Sequence, residues 1–325
     1  MAMTSDLDRR RVLGLAGAVW LGGAAFPSGA RPPARRRPDL GGLWTNAWYT
    51  QLERPKGFKA LVATPAEAEA YEAPRRELHG ARRSPRDPIG QAESEFPDNG
   101  PGLARIGGEI RSSWVVDPPD GKVPWIEAQK RKLPVGQDSP ETAPGSFDDV
   151  EQRDTDERCI SAPGGHAPML NSQDGNLMLL VQTPDHLAIV AEKNHQLRLV
   201  RLGPAEAEPG AAGPAWLQPA AGHWEAATLV VVSANYPPGI SRINDDLYLS
   251  QSARVVERFT RTGPDEILYA FQVEDPVLFT RAWRGEMVLR RAGGQLYEYA
   301  CHEGNYSLPS ILAAARAEER AKPRP

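Results

Sequence analysis

The length, composition and charge of this chain set limits on what it can be. Its 325 residues suffice for one large β domain or two small ones, and 40% hydrophobic with 25% charged residues is enough for a globular core. The formal net charge of −4 gives no electrostatic reason to expect a nucleic-acid partner.

The N-terminal segment has the pattern of an export signal. Three consecutive arginines at positions 9 to 11 precede a short apolar stretch, Leu13 to Phe26, that is rich in glycine and alanine. Adjacent arginines before a weakly hydrophobic stretch favour the twin-arginine route. The alternative is a membrane anchor, which the short length disfavours. We therefore expect a signal peptide over 1–30, a periplasmic protein, and no stable membrane insertion after the signal is removed.

A proline- and arginine-rich tether over 31–38 is expected to lead into the folded part of the chain. A single β-barrel domain is predicted over 39–320, with 321–325 as a tail. Gly42-Leu43-Trp44 opens the first strand, and a Gly-x-Trp there is typical of lipocalin-type barrels, in which the tryptophan plugs one end.

The segment 64–158 is predicted to be a largely irregular insertion. It begins with a short helix over 64–78, because Thr64 and Glu67 have the spacing of a capping box. A strand is expected at Arg111–Val116, and the rest is rich in proline, glycine and charge. Long insertions of this kind are usually functional or disordered, and we expect this one to cover the barrel mouth.

Strand patterns separated by turn signals fill the rest of the chain, which favours an antiparallel meander that closes on itself. The predicted fold is therefore mostly β: an antiparallel lipocalin-like barrel with a long irregular N-terminal excursion and a C-terminal helix over Pro309–Arg320. The predicted strands are Leu177–Gln182, His186–Glu192, Leu197–Leu202, Thr228–Ala234, Ala253–Arg261, Ile267–Glu274, Glu286–Arg291 and Leu296–His302.

The chain has two cysteines, Cys159 and Cys301. In an exported protein a pair of cysteines is expected to form a disulfide, because the compartment is oxidising. The alternative is two buried free thiols.

The alternation of side chains along strands selects three candidate catalytic groups. In the predicted strand Leu296–His302, Glu298 and His302 fall on one face. Glu257 shares its face with apolar neighbours two residues away on either side. A carboxylate in apolar company must be paired or have a raised pKa, and the second case would make a general acid or base. The alternatives are a salt bridge from Glu257 to an arginine inside the barrel, or a solvated strand face.

No cofactor or metal is expected. The chain lacks a phosphate-binding loop, a dinucleotide fingerprint, a Gly-x-Ser-x-Gly elbow and closely spaced histidine pairs. Further polar residues in or near the β region are candidates for substrate binding. They are Asn46, Arg111, His195, His223, Tyr299 and Glu303.

Several short motifs are spread over about residues 39–316. They are Gly42–Asn46, Leu52–Pro55, Ile110–Trp114, Glu157–Ile160, Val181–His186, Asn194–His195, Gly222–Glu225, Val256–Thr260 and Tyr297–Tyr306. In this set of motifs the chain resembles a family of exported bacterial proteins, many of them from sphingomonad-like bacteria. That family usually has Gly-Asp after Gly-His-Trp-Glu, where this chain has Ala226-Ala227, and because alanine tolerates a positive φ poorly, a tight hairpin is disfavoured there. The resemblance implies no particular reaction.

Three functions fit this inventory. The first is a cofactor-free enzyme of lyase, isomerase, hydratase or cyclase type, acting by acid–base chemistry on an apolar or aromatic small molecule in the barrel cavity. The second is a periplasmic binding or carrier protein with the same cavity and no catalysis. The third is a structural envelope protein. The sequence leaves the oligomeric state open.

Overall fold

The structure of the chain is a computed structural model. It describes residues 37–81, 100–130, 147–153, 155–160, 165–172, 175–205, 209, 220–236, 240–244 and 247–321. The expected signal peptide and most of the tether lie outside these ranges. Within them, no helix is long and apolar enough to cross a membrane.

The described residues are mostly β. The strands are β1 Gly42–Thr45, β2 Arg105–Ile106, β3 Glu109–Ile110, β4 Val115–Asp117, β5 Leu177–Gln182, β6 His186–Ala191, β7 Leu197–Leu202, β8 Ala220–Glu225, β9 Thr228–Ser233, β10 Ile240–Arg242, β11 Tyr248–Ser250, β12 Arg254–Gly263, β13 Glu266–Glu274 and β14 Trp283–Arg291. The helices are α1 Pro65–Ala81, α2 Glu127–Lys130, α3 Cys301–Gly304 and α4 Ser307–Ala321.

One sheet closes into a barrel. Its strand order is β1-β5-β6-β7-β8-β9-β12-β13-β14-β4, and β1 also pairs with β14, so that every strand of the sheet except β4 belongs to the closed ring. The predicted mostly β barrel with a C-terminal helix is confirmed. The barrel is mixed rather than purely antiparallel, because β7 and β8 run parallel. A long connection joins Leu202 to Ala220, and a long connection is what parallel pairing requires.

Alternation along the strands builds the core. On β13, burial alternates residue by residue, with Ile267, Tyr269, Phe271 and Val273 inside. The tryptophan of the first strand, Trp44, is also fully buried and donates its ring N–H to the carbonyl oxygen of Leu40 at 2.9 Å. Two arginines, from β12 and β14, lie over its ring with guanidinium carbons 5.6 and 4.6 Å from the ring centroid.

The insertion contributes ordered structure to the fold. Helix α1 begins with the predicted capping box: the Thr64 backbone N–H donates to Glu67 Oε2 at 2.8 Å, and the Glu67 N–H donates to Thr64 Oγ1 at 3.2 Å. Strand β4 extends the sheet by pairing with β14. A small second core of Ala63, Ala68, Leu103 and Ile110 packs α1 against β3 and the segment just before β2.

The strand predicted at Leu296–His302 is wrong. Residues 295–300 have no regular structure, and a helical turn follows at Cys301–Gly304. The physical reason is that β14 already completes the ring by pairing with β1, so the barrel has no free edge for another strand. The chain is instead held locally, because Cys301 is bonded to Cys159 and the Asn305 amide donates to the Glu157 carbonyl oxygen.

A tight hairpin forms at Ala226-Ala227, although alanine disfavours the backbone of such a turn. Glu225 pairs with Thr228, so the two alanines form a two-residue turn between β8 and β9. Ala226 adopts the left-handed φ of 53° that such a turn demands. Cross-strand pairing along β8 and β9 therefore outweighs the conformational penalty at one alanine.

Candidate functional site

Glu257 lies inside the barrel, where it forms a buried ion pair with Arg198 of β7. Their side chains are 0% and 1% exposed. Arg198 Nη1 donates to Glu257 Oε1 at 3.1 Å, and Arg198 Nη2 contacts Glu257 Oε2. The Tyr269 hydroxyl donates to Oε1 at 2.7 Å, and Ser233 Oγ lies 3.4 Å from Oε2. The carboxylate of Glu257 is therefore engaged by a cation and a phenol, as in the salt-bridge alternative, and is not open to a substrate.

A segment of the chain fills the interior beside this ion pair. Residues 165–170 are all buried, and their backbone is held by side chains of the barrel and of residue 236. The Met169 N–H donates to the Tyr269 hydroxyl at 2.9 Å, and the Asn46 amide donates to the Met169 carbonyl oxygen at 2.9 Å. The Tyr236 hydroxyl donates to the Ala167 carbonyl oxygen at 2.6 Å. Asn46 thus holds the chain's own backbone rather than facing a ligand cavity.

The buried cluster also contains a histidine that the sequence analysis did not select. His166 is 2% exposed, and the Gln196 side-chain amide lies 3.1 Å from Nδ1 and 3.0 Å from Nε2. Burial, with the charge of Arg198 adding to it, lowers the pKa of His166 to about 4. The imidazole is therefore neutral at pH 7.

The prediction that Glu298 and His302 share a cavity with Glu257 is wrong. Both side chains are exposed, as is Glu303, while Glu257 is sealed in the core. Side chains alternate between two faces only along a strand, and the chain at Leu296–His302 is irregular and then helical.

Two other candidates have partners away from any shared site. Arg111 has a side chain that is 11% exposed and forms ion pairs with Glu109 at 3.0 Å and Glu286 at 3.5 Å. His223 Nε2 lies 3.2 Å from Glu225 Oε1, on β8.

An open cleft of about 570 Å³ lies beside the disulfide, outside the barrel core. Two residues selected from the sequence line it: Tyr299, a candidate for substrate binding, and the disulfide cysteine Cys301. A further binding candidate, His195, lies next to the cleft, where its Nε2 accepts the Tyr299 backbone N–H at 3.1 Å. The polar side chains that line it are Arg153, Asp156, Glu157, Arg242, Tyr299, Asn305 and Ser307.

Covalent and hydrogen bonds between distant parts of the chain fix the walls of this cleft. The predicted disulfide is confirmed, with the Cα atoms of Cys159 and Cys301 5.8 Å apart. Next to it, the Asn305 amide donates to the Glu157 carbonyl oxygen at 2.6 Å. The wall around Asp156 is held from the hairpin between β6 and β7, because Lys193 Nζ and Asn194 Nδ2 lie 3.2 and 3.3 Å from its carboxylate oxygens.

The carboxylates that line the cleft are paired either with another lining residue or with Lys193 of the hairpin between β6 and β7. Arg153 Nε contacts Glu157 Oε2 at 2.8 Å, and Asp156 is neutralised by Lys193, whose side chain is 11% exposed. Arg242 also has an interaction within the fold. The cleft therefore presents hydrogen-bond donors and acceptors in nearly balanced charge.

Several of these residues were missed in the sequence analysis. Arg198 had no usable signal, because each face of Leu197–Leu202 carries one arginine and two aliphatic residues, and only the structure shows that the face with Val200 is the inner one. Arg153, Asp156 and Arg242 had none, because they lie in irregular segments and at a short strand, where no period fixes the direction of a side chain. Asn305 belongs to the polar block Tyr297–Tyr306, and the predicted bond between Cys301 and Cys159 placed that block near residue 159.

The chain matches no protein-family model, no curated protein and no solved structure. Within the described ranges, no three or more histidine, cysteine, aspartate or glutamate side chains are grouped so as to hold a metal ion.

Proposed function

We propose that this protein is an exported binding protein that takes a small molecule in the cleft beside the disulfide. The observation that carries the proposal is the cleft itself: an open volume of about 570 Å³ with polar side chains converging on it. Ligand sites in proteins have volumes of roughly 300–1,000 Å³ and a few convergent polar groups. The walls are tied by a disulfide and by hydrogen bonds, so that the binding groups are held in place before a ligand arrives.

The binding alternative is favoured over the acid–base enzyme by the position of the candidate catalytic groups. Glu257 is engaged by Arg198 and Tyr269 in the core, and Glu298 and His302 are exposed elsewhere. A general base must reach the proton that it removes, within about 3 Å or through one water molecule. Glu257, Glu298 and His302 are therefore not placed to act together on one substrate.

The compartment supports the same proposal. The disulfide suits an oxidising environment, and the arginine-rich N-terminal pattern suits export to the periplasm by the twin-arginine route. The ligand expected from the sequence is a small molecule with an apolar or aromatic face, and Tyr299 in the cleft wall supplies a matching surface.

The test is a binding assay on a protein whose cleft is blocked. Ser307 lines the cleft at the start of α4, and Ser310 lies one turn further along the same helix without lining it. The disulfide-bonded protein is titrated calorimetrically with 4-hydroxybenzoate, vanillate, glucose and cellobiose. We expect at least one probe to bind, Ser307→Trp to abolish that binding, and Ser310→Trp to retain it.

Two results would overturn the proposal. One is the absence of binding by every probe at millimolar concentration. The other is binding that Ser307→Trp leaves unchanged, because the ligand would then occupy another part of the molecule. Thermal unfolding of both variants checks that the fold survives the substitution.

A further inference from the structure

We infer that the cleft takes a neutral sugar ring rather than an ionised ligand. This inference rests on the proposed binding function and names the ligand class of the same site. The charges of the cleft wall support it. The carboxylates of Asp156 and Glu157 each have a cationic partner, Lys193 and Arg153, at 3.2 and 2.8 Å.

The paired charges disfavour an ionised ligand of either sign. An anion entering the cleft would compete with Glu157 for Arg153, and a cation would compete with Lys193 for Asp156. The side chains of Arg153 and Lys193 are only 9% and 11% exposed, so that solvent screens these ion pairs weakly. Glu157 and Asp156 are themselves 24% and 26% exposed, so displacing a partner costs less than it would in a fully buried pair, but the cost still opposes an ionised ligand.

A neutral polyhydroxyl ligand meets no such competition. A hydroxyl group both donates one hydrogen bond and accepts others, so that it can add to an existing carboxylate–guanidinium pair without removing either member. Carboxylates accept at two oxygens and guanidinium groups donate through a planar fork, and both geometries match adjacent hydroxyl groups on a ring. The mixed wall of Arg153, Asp156, Glu157 and Arg242 supplies both kinds of group.

Tyrosines give the second, independent observation. Tyr299 lines the cleft, and Tyr306 lies between two lining residues, Asn305 and Ser307, with 79% of its surface exposed. Tyr297, two residues before Tyr299, is 65% exposed. Single exposed rings are common on protein surfaces, but these three tyrosines lie within ten residues of one segment beside the cleft. A tyrosine has an apolar face and a polar tip, which suits the C–H face and the hydroxyl rim of a pyranose ring.

The experiment compares one ring in three charge states. The disulfide-bonded protein is titrated calorimetrically with methyl glucoside, glucuronate and glucosamine, with cellobiose as a longer neutral probe and 4-hydroxybenzoate as an aromatic anion. We expect the neutral sugars to bind at least tenfold more tightly than the two charged ones. Tyr306→Ala should weaken cellobiose binding by roughly 2- to 12-fold, the range expected for one aromatic contact, whereas Tyr306→Phe should retain it.

Matched variants distinguish failure of the sugar inference from failure of the proposed binding function. Leu199→Ala removes an exposed apolar side chain on β7 and should leave sugar binding unchanged. If 4-hydroxybenzoate binds, is lost in Ser307→Trp, and no sugar binds, the cleft is a ligand site but the sugar inference is overturned. Sugar binding that survives Ser307→Trp overturns it as well. Absence of every ligand overturns the binding function itself.

Discussion

The buried ion pair between Arg198 and Glu257 is the residue-scale feature on which the barrel interior depends. Two charges in a site with no solvent access are tolerated because each has its partner and further hydrogen bonds, from Tyr269 to Oε1 and from Arg198 to Ser233 Oγ at 3.1 Å. Removing one charge alone leaves the other buried and uncompensated.

Glu257→Gln should therefore lower the free energy of unfolding by about 3–5 kcal/mol, measured by urea denaturation. Replacing the pair together, with Arg198→Met and Glu257→Leu, should recover much of that loss, because neither variant side chain carries a charge. Glu298→Gln, at an exposed position, is the control and should change stability by less than about 0.5 kcal/mol. Native stability in Glu257→Gln would contradict the structural role of this carboxylate.

His166 makes stability depend on pH. Its pKa is about 4 in the folded protein against an ordinary value of 6.5, so between these pH values the unfolded chain binds more protons than the folded one. Stability should therefore fall as pH drops from about 6.5 to 4, by roughly 3 kcal/mol from this residue. Denaturation at a series of pH values measures it. His166→Gln should flatten this slope, whereas His302→Gln, at an exposed position, should preserve it; equal slopes in all three proteins would contradict the assignment.

At the scale of elements, the turn between β8 and β9 holds a residue in an unfavourable conformation. Ala226 has a φ of 53°, a region in which a Cβ is disfavoured by roughly 1–2 kcal/mol and which glycine enters freely. Ala226→Gly should raise the free energy of unfolding by about 1 kcal/mol. Ala227, whose φ is not positive, is the matched control, and Ala227→Gly should lower it. Thermal unfolding of the two variants in parallel measures both signs, and a loss of stability in Ala226→Gly would contradict the account.

Some of the strands could be predicted from the sequence and others could not. The strands Leu177–Gln182 and Leu197–Leu202 were predicted with their observed bounds, because each is a short run rich in aliphatic residues that ends at turn residues. Polarity did not identify the inner face of either strand, since Leu197 and Leu199 are exposed and Arg198 is buried. Strand β8 was missed, since Ala220, Ala221 and Gly222 have little β propensity and pair only because β7 and β9 flank them. The same dependence on tertiary context explains the wrong strand at Leu296–His302.

For the whole molecule, closure of the barrel decides what the rest of the chain can do. Pairing of β1 with β14 removes both edges of the ring, so the sequence after Arg291 must find its place by other contacts. The candidate site follows from this. Its residues come from segments around positions 153–157, 242 and 299–307, and no periodic pattern links those segments in the sequence. The cysteine pair was the one signal that brought two of them together.

We therefore expect that removing the disulfide disturbs the cleft while the barrel strands remain. Cys159 and Cys301 lie outside every strand, at a separation of 142 residues in sequence. Closing a loop of that length stabilises a fold by about 4–5 kcal/mol in the chain-entropy model, with measured losses of about 2–5 kcal/mol. In a Cys159→Ser, Cys301→Ser double variant, the free energy of unfolding measured by urea denaturation should fall by about 2–5 kcal/mol.

In the double variant the β signal in far-ultraviolet circular dichroism should persist, since the strands and their ion pair are untouched. Ligand binding in the cleft should weaken, because Tyr299 and Asn305 would lose the covalent link to the opposite wall. Thiol titration of the denatured, unreduced parent protein should find no free thiol. Two free thiols there, or a double variant that matches the parent in both stability and binding, would show that the cleft walls are held without the covalent bond.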